Sequence, residues 1–448
     1  RARTLLTSLC YPPILQSGLL WSEYAQVERS PHQSIEAWTD IWTSNANLRE
    51  DPLTQSTYIL EQALPLPASI VHHSINLLIH IFSVVLLLKI LDTLKLPAAF
   101  CASLVFALHP ATLQPIFWSG FRTELVGLIL LLTALYLGLI SRGVGGFIKL
   151  IGVWLIAYCL HPANLFLPLI LGFCILFQKD TFEIKDYNRL IPLIFFALFV
   201  GVFVHNKEPG IQYDLGEQIN ICAYNLLFYL SQALTPIKLA LFHPIEESNN
   251  LRFGTIISLL PFIFITVCYI MIIPNFRKLW ARGLLLGLTS YILLSVYSLG
   301  SFGTFIDGTP AQVNYSQYIA LPAVLCTVVC SLGAIAQKFG SKGSVIWYIG
   351  FGIFTVLQFS YTSLYASSIS NREQMWYDIS ELWPETWLPK LALLHTIQDS
   401  GKKNRLPTQN KSIDLLESIL LQKPELISER KLLARIYRKS GQNTNALR

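Results

Sequence analysis

Three polar residues of one apolar helix could bind a ligand or hydrogen-bond a neighbouring helix. His73, Asn76 and His80 are spaced i, i+3 and i+7 in an otherwise apolar stretch, so they share one face of a predicted helix. Polar groups inside a bilayer need partners, and interhelical hydrogen bonds are the simpler interpretation of this face. Metal ligation by the same face is the alternative interpretation. We expect no metal there, because no third strong ligand lies nearby in the sequence.

A second group of polar residues lies at the ends of apolar segments. His109 precedes Pro110 at the end of one segment, and Arg122 and Glu124 begin the next. An arginine in this position either snorkels to the membrane surface as an anchor or lies in a binding pocket with Glu124. His161 follows a later apolar segment and is a candidate proton carrier. The sequence leaves the anchor and the pocket open as alternatives.

The composition places these residues in a membrane protein. Of 448 residues, 53% are hydrophobic and 13% are charged, whereas soluble domains carry about 25% charged residues. The first 370 residues hold 38 of the 60 charged residues, and the last 78 hold 22. A soluble enzyme and a disordered chain are excluded. Nucleic-acid binding is excluded too, because the net charge of +6 forms no basic face.

Apolar runs of about 20 residues, the length that crosses a bilayer, predict an all-α polytopic membrane domain over residues 1–370. We expect about eleven spans. They are 4–20, 68–90, 97–116, 123–141, 146–160, 163–178, 190–205, 251–273, 282–299, 317–337 and 344–366.

The basic residues predict the orientation of these spans. Lysines and arginines fall in alternate loops, which marks that face as cytoplasmic. The outer, periplasmic or lumenal face then receives the C-terminal tail and three long segments, 22–67, 206–250 and 300–316. We expect an inner (plasma) membrane or an ER-type membrane.

The last 78 residues, 371–448, are predicted to form a helical tail. Pro384 and Pro424 are 40 residues apart, and so are Gly401 and Gly441. This pattern resembles tetratricopeptide (TPR) units of 34 residues with an insertion of six, and two helical hairpins of no particular family are the alternative. Because a solenoid needs about three repeats, either the chain continues past this tail or the tail docks on a partner protein.

Taken in order, these pieces resemble one family, the GT-C-type glycosyltransferases with a C-terminal TPR array, similar to the transmembrane O-mannosyltransferases and their bacterial relatives. The likeness extends over most of the chain. Its main matches are Tyr11-Pro12-Pro13, Trp21-Ser22-Glu23-Tyr24, Asp51-Pro52-Leu53-Thr54, His72-His73 with Asn76 and His80, Leu108-His109-Pro110, Arg122-Thr123-Glu124-Leu125, Leu234-Thr235-Pro236, Phe242-His243-Pro244, Tyr318-Ile319-Ala320-Leu321-Pro322 and Leu382-Trp383-Pro384-Glu385.

The resemblance implies a function at the outer face of the membrane. Such enzymes transfer a sugar from a polyprenyl-phosphate carrier to a protein hydroxyl, which requires a general base, cations for the phosphate and a groove for both substrates. It implies Glu23 as the base and Arg122 as the phosphate ligand, with His73 and His109 lining the pocket and His161 carrying a proton. The lipid-linked sugar is the only cofactor-like molecule implied, and membrane lipid and the acceptor protein are the implied partners.

Five motif positions depart from the family pattern and support a rival hypothesis. The family has charged residues at these positions, whereas this chain has neutral or altered ones. They are Ser22-Glu23, Gln114, His161, Gln218 and Ser316-Gln317. The rival is a non-catalytic structural or assembly subunit that binds partner proteins through its outer face and tail. The retained His72-His73, His109-Pro110 and Arg122 favour the enzyme. A transporter is a third alternative, without an internal repeat to support it.

Overall fold

The chain folds into helices joined by short turns, as its long apolar runs predict. The computed structural model describes residues 39, 41–42, 52–62, 64–179, 187–205, 215–236, 239–240, 243–244, 255–299, 303–304, 310–312, 314–399 and 406–439. Within these residues the protein is helical apart from three strands of two or three residues.

The described helices fall into a membrane part and a tail. In chain order the first nine are α1 Pro52–Gln62, α2 Ala68–Thr93, α3 Ala99–Ala107, α4 Leu113–Phe117, α5 Arg122–Ile140, α6 Gly143–Leu160, α7 Leu167–Gln178, α8 Ile191–His205 and α9 Leu215–Leu234. They are followed by α10 Thr255–Ile272, α11 Leu279–Leu299, α12 Leu321–Lys338 and α13 Gly340–Ser370. The tail contains α14 Arg372–Leu382, α15 Trp387–Asp399, α16 Leu406–Gln422 and α17 Ile427–Lys439.

A small antiparallel sheet joins two of the long connecting segments. Strand β3 (Pro310–Gln312) lies between β1 (His243–Pro244) and β2 (Gly303–Thr304). His243 is paired with Gln312, so the end of the segment after α9 is tied to the segment after α11.

Six of the described helices are long and apolar enough to cross a bilayer, namely α2, α5, α6, α11, α12 and α13. The described helical segments Pro162–Gln178 and Leu259–Asn275 are apolar but shorter. The prediction of a helical protein with several candidate membrane spans is confirmed. The count of eleven spans stays a prediction, and the first of them, 4–20, lies outside the described residues.

The predicted span 97–116 is broken in the structure. α3 and the segment Pro110–Phe117 meet at a bend of 51°, and together they would make a seventh span. Pro110 lacks a backbone N–H and restricts the residue before it, so His109 has extended backbone (φ −70°, ψ 127°). The His109 ring then accepts a hydrogen bond from the Ala111 N–H at 3.2 Å. The sequence predicted one span over 97–116 and did not predict this bend.

Polar residues of α13 bind the carbonyl groups near this bend. Gln358 Nε2 donates to the Val105 carbonyl oxygen at 3.0 Å, and Thr362 Oγ1 donates to that of Leu108 at 2.7 Å. Unpaired carbonyls are costly in a bilayer, so these two contacts hold α13 against α3. Only 11% of the most apolar window of α13 is buried, which leaves most of its surface facing outward.

The tail consists of two consecutive helical hairpins with the same local geometry. α14 and α15 repeat as α16 and α17 after 40 residues, and Pro384 and Pro424 occupy the same place in the two turns. Lys390 Nζ donates to the Pro384 carbonyl at 2.5 Å, and Arg430, 40 positions later, donates to the Pro424 carbonyl. The repeat is therefore structural, whereas its assignment as TPR stays a prediction.

The tail is joined to the membrane part through one hydrophobic core. Trp376 and Leu416 of the tail belong to the same cluster of buried residues as Leu108. The Trp383 ring meets the His243 ring edge to face, with centroids 5.2 Å apart. Burial lowers the pKa of His243 to about 4, so this ring is neutral near pH 7 and packs as a largely apolar group.

The helices α11 and α12 approach each other closely at Gly287. An ideal Cβ built there would lie 1.7 Å from Thr327 Oγ1 and 2.9 Å from Thr327 Cβ. Small residues at membrane helix interfaces allow such backbone approach. Gly287 therefore sets the distance between two candidate spans.

We predict that Gly287→Ala destabilises the protein by about 1–3 kcal/mol, the usual effect of overpacking. The measurement is thermal unfolding of the full chain in a mild detergent. Gly152→Ala on α6 is the matched control, because a Cβ there would meet no atom within 4 Å. Equal unfolding temperatures for the two variants would contradict the close approach of α11 and α12.

Candidate functional site

Arg122, at the first position of α5, lies in a buried polar network. Its side chain is 0% exposed, and one of its terminal nitrogens pairs with the carboxylate of Glu61 on α1. Arg122 Nε donates to Asn76 Oδ1 at 2.7 Å, and Nη1 donates to Thr57 Oγ1 at 2.8 Å. The guanidinium charge is thus neutralised inside the protein, as a charge at membrane depth requires.

The second oxygen of Glu61 extends this network to α2. It contacts His72 Nδ1, and the His72 carbonyl accepts a hydrogen bond from Arg122 Nη2 at 3.4 Å. The Tyr58 ring lies 4.5 Å from the guanidinium carbon, a cation–π contact. The network therefore joins α1, α2 and α5. Because Glu61 occupies the guanidinium, a phosphate could bind Arg122 only by displacing this carboxylate.

Sequence analysis did not identify Glu61 as a functional residue. A signal for it was present: a buried arginine at the start of a span requires a counter-ion, and Glu61 is an acidic residue just before α2. The two residues are 61 positions apart, so no helical spacing relates them.

The face formed by His73, Asn76 and His80 makes interhelical contacts. His80 Nδ1 hydrogen-bonds Tyr318 Oη at 2.8 Å, and Asn76 Nδ2 donates to the Ile116 carbonyl at 3.3 Å. His73 is fully buried and stacks on Phe117, with ring centroids 5.7 Å apart. These contacts agree with the simpler interpretation of the pattern. Among the described residues, no group of three His, Cys, Asp or Glu side chains could hold a metal ion.

His109 links the broken span to α9. Its Nε2 hydrogen-bonds the Ala233 carbonyl oxygen at 3.0 Å, while Nδ1 accepts from the Ala111 N–H. Both ring nitrogens thus have backbone partners. In this arrangement His109 positions helices, and the pocket-lining role stays a prediction.

His161, at the end of α6, and Glu124, in the first turn of α5, form a polar pair. His161 Nε2 lies 3.3 Å from Glu124 Oε1, and the two side chains are only 6% and 12% exposed. His161 Nδ1 accepts the Ala163 N–H at 3.2 Å. A neutral imidazole has one proton, so that proton lies on Nε2 and points to the carboxylate.

Gly127 makes this pair geometrically possible. A Cβ at that position would lie 3.0 Å from the His161 Cβ, so a larger residue would push the imidazole away from α5. The Asn164 side chain also donates to the Gly127 carbonyl at 3.3 Å. The turn after α6 is therefore held directly against the helix that carries Glu124.

Several buried polar atoms of the described residues lack a hydrogen-bond partner, and the second oxygen of Glu124 is the one among them that belongs to a carboxylate. Glu124 Oε2 is buried and has no hydrogen-bond partner among the described residues, which costs about 1–3 kcal/mol for a buried acceptor. Aromatic rings surround the pair, and Tyr297 meets the His161 ring edge to face at 5.6 Å. Burial raises the pKa of Tyr315, and the negative charge of Glu124 raises it further. Glu124 Oε2 is thus a buried acceptor whose hydrogen-bonding capacity is unused.

Two of the departures from the family pattern lie beside this pair. Gln114 Oε1 accepts the Tyr315 N–H at 3.0 Å, and the Tyr315 ring stacks on Phe121 with centroids 3.6 Å apart. Gln317 Nε2 donates to Asn314 Oδ1 at 3.4 Å. The two neutral residues therefore make hydrogen bonds along the turn 314–317. These hydrogen bonds hold Tyr315 near Glu124.

The predicted site residues thus fall into two groups, while His109 lies apart from both and binds backbone groups. Arg122 lies in the Glu61 network, to which His73 is adjacent through His72. Glu124 and His161 form the pair described above. Glu23, the predicted base, lies outside the described residues.

Known proteins add no assignment to these contacts. No protein-family model matches the chain, and no curated protein is significantly similar to it.

We predict that Glu61→Gln destabilises the protein by about 3–5 kcal/mol, because it leaves the buried Arg122 charge unpaired. The double variant Glu61→Gln/Arg122→Met should recover much of this loss, since both charges are then removed. Urea or thermal unfolding in detergent measures both effects.

The control for this prediction is an exposed ion pair of the tail. Lys411 and Glu373 are 3.4 Å apart with side chains 40% and 35% exposed, so Glu373→Gln should cost about 0–1 kcal/mol. If Glu61→Gln proved no more harmful than Glu373→Gln, the buried ion pair would not hold the three helices together.

Proposed function

We propose that this protein has a GT-C-like body and transfers a sugar from a polyprenyl-phosphate carrier to a protein hydroxyl, with Glu124 and His161 as its acid–base pair. The observation that carries the proposal is the buried Glu124 oxygen that lacks a partner. A carboxylate of this kind inside a predicted membrane domain favours a functional role. The ordered motifs of the sequence supply the reaction class.

In this mechanism Glu124 removes the proton of the acceptor hydroxyl. The hydroxyl donates to Oε2 and attacks the anomeric carbon of the sugar. The new carbon–oxygen bond forms as the bond to the phosphate oxygen breaks, the proton passes to Glu124, and polyprenyl phosphate leaves with the electron pair. His161 donates through Nε2–H to Oε1, which orients the carboxylate and stabilises its charged form.

Arg122 acts in this proposal by positioning α5. Its pair with Glu61 holds the first turn of the helix two residues before Glu124, and a displacement of about 1 Å at a reacting group can cost roughly 100-fold in rate. Glu23 remains a second candidate for the base, since the resemblance assigns it that role. The two carboxylates are therefore tested separately.

We predict that Glu124→Gln lowers sugar transfer by about 100- to 10,000-fold, the contribution of one general base. Glutamine retains an oxygen for His161 and should leave the unfolding temperature unchanged. The assay uses the full chain in liposomes, a panel of radiolabelled polyprenyl-phosphate sugars and peptides rich in serine and threonine.

Two further variants complete this experiment. Glu381→Gln, on an exposed position of the tail, is the charge-matched control and should transfer sugar at the parent rate. Glu23→Gln separates the second candidate base from Glu124. If transfer persisted in Glu124→Gln and was lost in Glu23→Gln, the base would be Glu23 and the mechanism above would be wrong.

A second candidate function is that of a non-catalytic assembly subunit. The specific observation that favours it is the Arg122–Glu61 pair, which consumes the cation expected to bind phosphate. The neutral residues Gln114 and Gln317 also favour the subunit hypothesis, because the resemblance implies charged residues at both positions.

The subunit hypothesis predicts a bound partner protein and no sugar transfer. The full chain, purified in mild detergent without overexpression, should carry a partner protein in constant ratio, and no donor in the panel should support transfer. Repeated isolation as a lone monomer would contradict it, and so would measurable transfer.

A further inference from the structure

A large apolar cavity lies between α2, α5, α7, α11 and α12, away from the Glu124 pair. Its volume is about 620 Å³, within the roughly 300–1,000 Å³ of ligand sites. Aliphatic side chains form most of its wall, for example those of Leu91, Leu131, Ile170 and Leu286. Such a wall holds hydrocarbon well and binds water poorly, because water needs two to four polar partners.

One end of the cavity has the groups found at a membrane surface. Lys338, in the last turn of α12, and Trp280, in the first turn of α11, both line it. Lys338 is exposed, and Trp280 is 47% exposed. Tryptophan prefers the level of the lipid headgroups, and lysine extends its ammonium group to that level. This end is the one where the basic loops of the sequence cluster.

The cavity can be entered from the bilayer. Leu279 and Ile335 line it and are 60% and 50% exposed, and both belong to candidate membrane spans. A ligand can therefore reach it near Leu279 and Ile335, at the end of the cavity that carries Lys338. The ligand must combine a long apolar part with a negatively charged group, because the wall is hydrocarbon and the rim is cationic.

We propose that this cavity binds an anionic phospholipid from the leaflet on the side of the basic loops. The acyl chains occupy the space between α2, α5, α7, α11 and α12, and the headgroup phosphate lies near the Lys338 ammonium. This assignment goes beyond the sugar-transfer proposal and does not depend on it. The lipid fills the apolar space that remains between the five packed helices.

Gly283 provides a variant that fills the cavity. It lines the wall on α11, and a Cβ there would meet only Phe177, at 3.6 Å. Gly283→Leu thus places a side chain in the cavity without a clash at the backbone. Gly152→Leu on α6 is the matched control, because a Cβ there meets nothing within 4 Å and Gly152 lies outside the cavity.

The test uses the full chain in nanodiscs of phosphatidylcholine and phosphatidylglycerol, followed by gentle transfer to detergent and native mass spectrometry. We expect the parent protein and Gly152→Leu to retain phosphatidylglycerol in excess over its share of the bilayer. Lys338→Gln should lower that preference about five-fold, the effect of one basic residue at a membrane surface. Gly283→Leu should lose the bound lipid of either kind, with an unchanged unfolding temperature.

Three results would overturn the proposal. The first is a parent protein that retains the two lipids in the proportions of the bilayer. The second is a Gly283→Leu variant that retains lipid as Gly152→Leu does, which would place the lipid elsewhere. The third is quantitative displacement of phosphatidylglycerol by a polyprenyl phosphate at equal concentration in the parent but not in Gly283→Leu, which would make the carrier lipid the occupant.

Discussion

The buried ion pair between Arg122 and Glu61 is the contact on which the arrangement of α1, α2 and α5 depends. A guanidinium that is 0% exposed cannot exist in this environment without a counter-charge, so α1 must cover the start of α5. The same carboxylate reaches His72, which fixes α2 against both. The pair therefore fixes the position of the first turn of α5, and with it the position of Glu124 two residues later.

Histidine followed by proline occurs three times, and two of these pairs end a helix, with different results. His109-Pro110 and His161-Pro162 each end a helix, and each ring accepts the N–H two residues later through Nδ1. Nε2 is thereby directed to a distant partner. For His109 that partner is the Ala233 carbonyl, which ties helices together, whereas for His161 it is the Glu124 carboxylate. The hydrogen bond through Nδ1 is the same in both cases. The partner of Nε2 decides whether the histidine ties two helices together or contacts a carboxylate.

Much of the helical pattern was predictable, because a long apolar run in a bilayer has few alternatives to a helix. The break at Pro110 was missed, since apolar residues continue on both sides and the carbonyls near the bend are bound by α13, some 250 residues later. Glu61 was missed for a similar reason. Pairing between distant elements leaves no periodic signal in the sequence. Arg122 could therefore be predicted as a site residue, whereas its partner Glu61 could not.

The lost charges at Gln114 and Gln317 look like two separate failures of a catalytic motif when only the sequence is considered. In the structure both side chains belong to the contacts of one turn, 314–317, and both make neutral hydrogen bonds there. Gln114 accepts the Tyr315 N–H, so a neutral side chain helps to hold the turn whose tyrosine feels the charge of Glu124. Gln317 acts within the same turn through Asn314. Both neutral residues therefore have a structural role near Glu124, and this role is compatible with a transferase and with an assembly subunit.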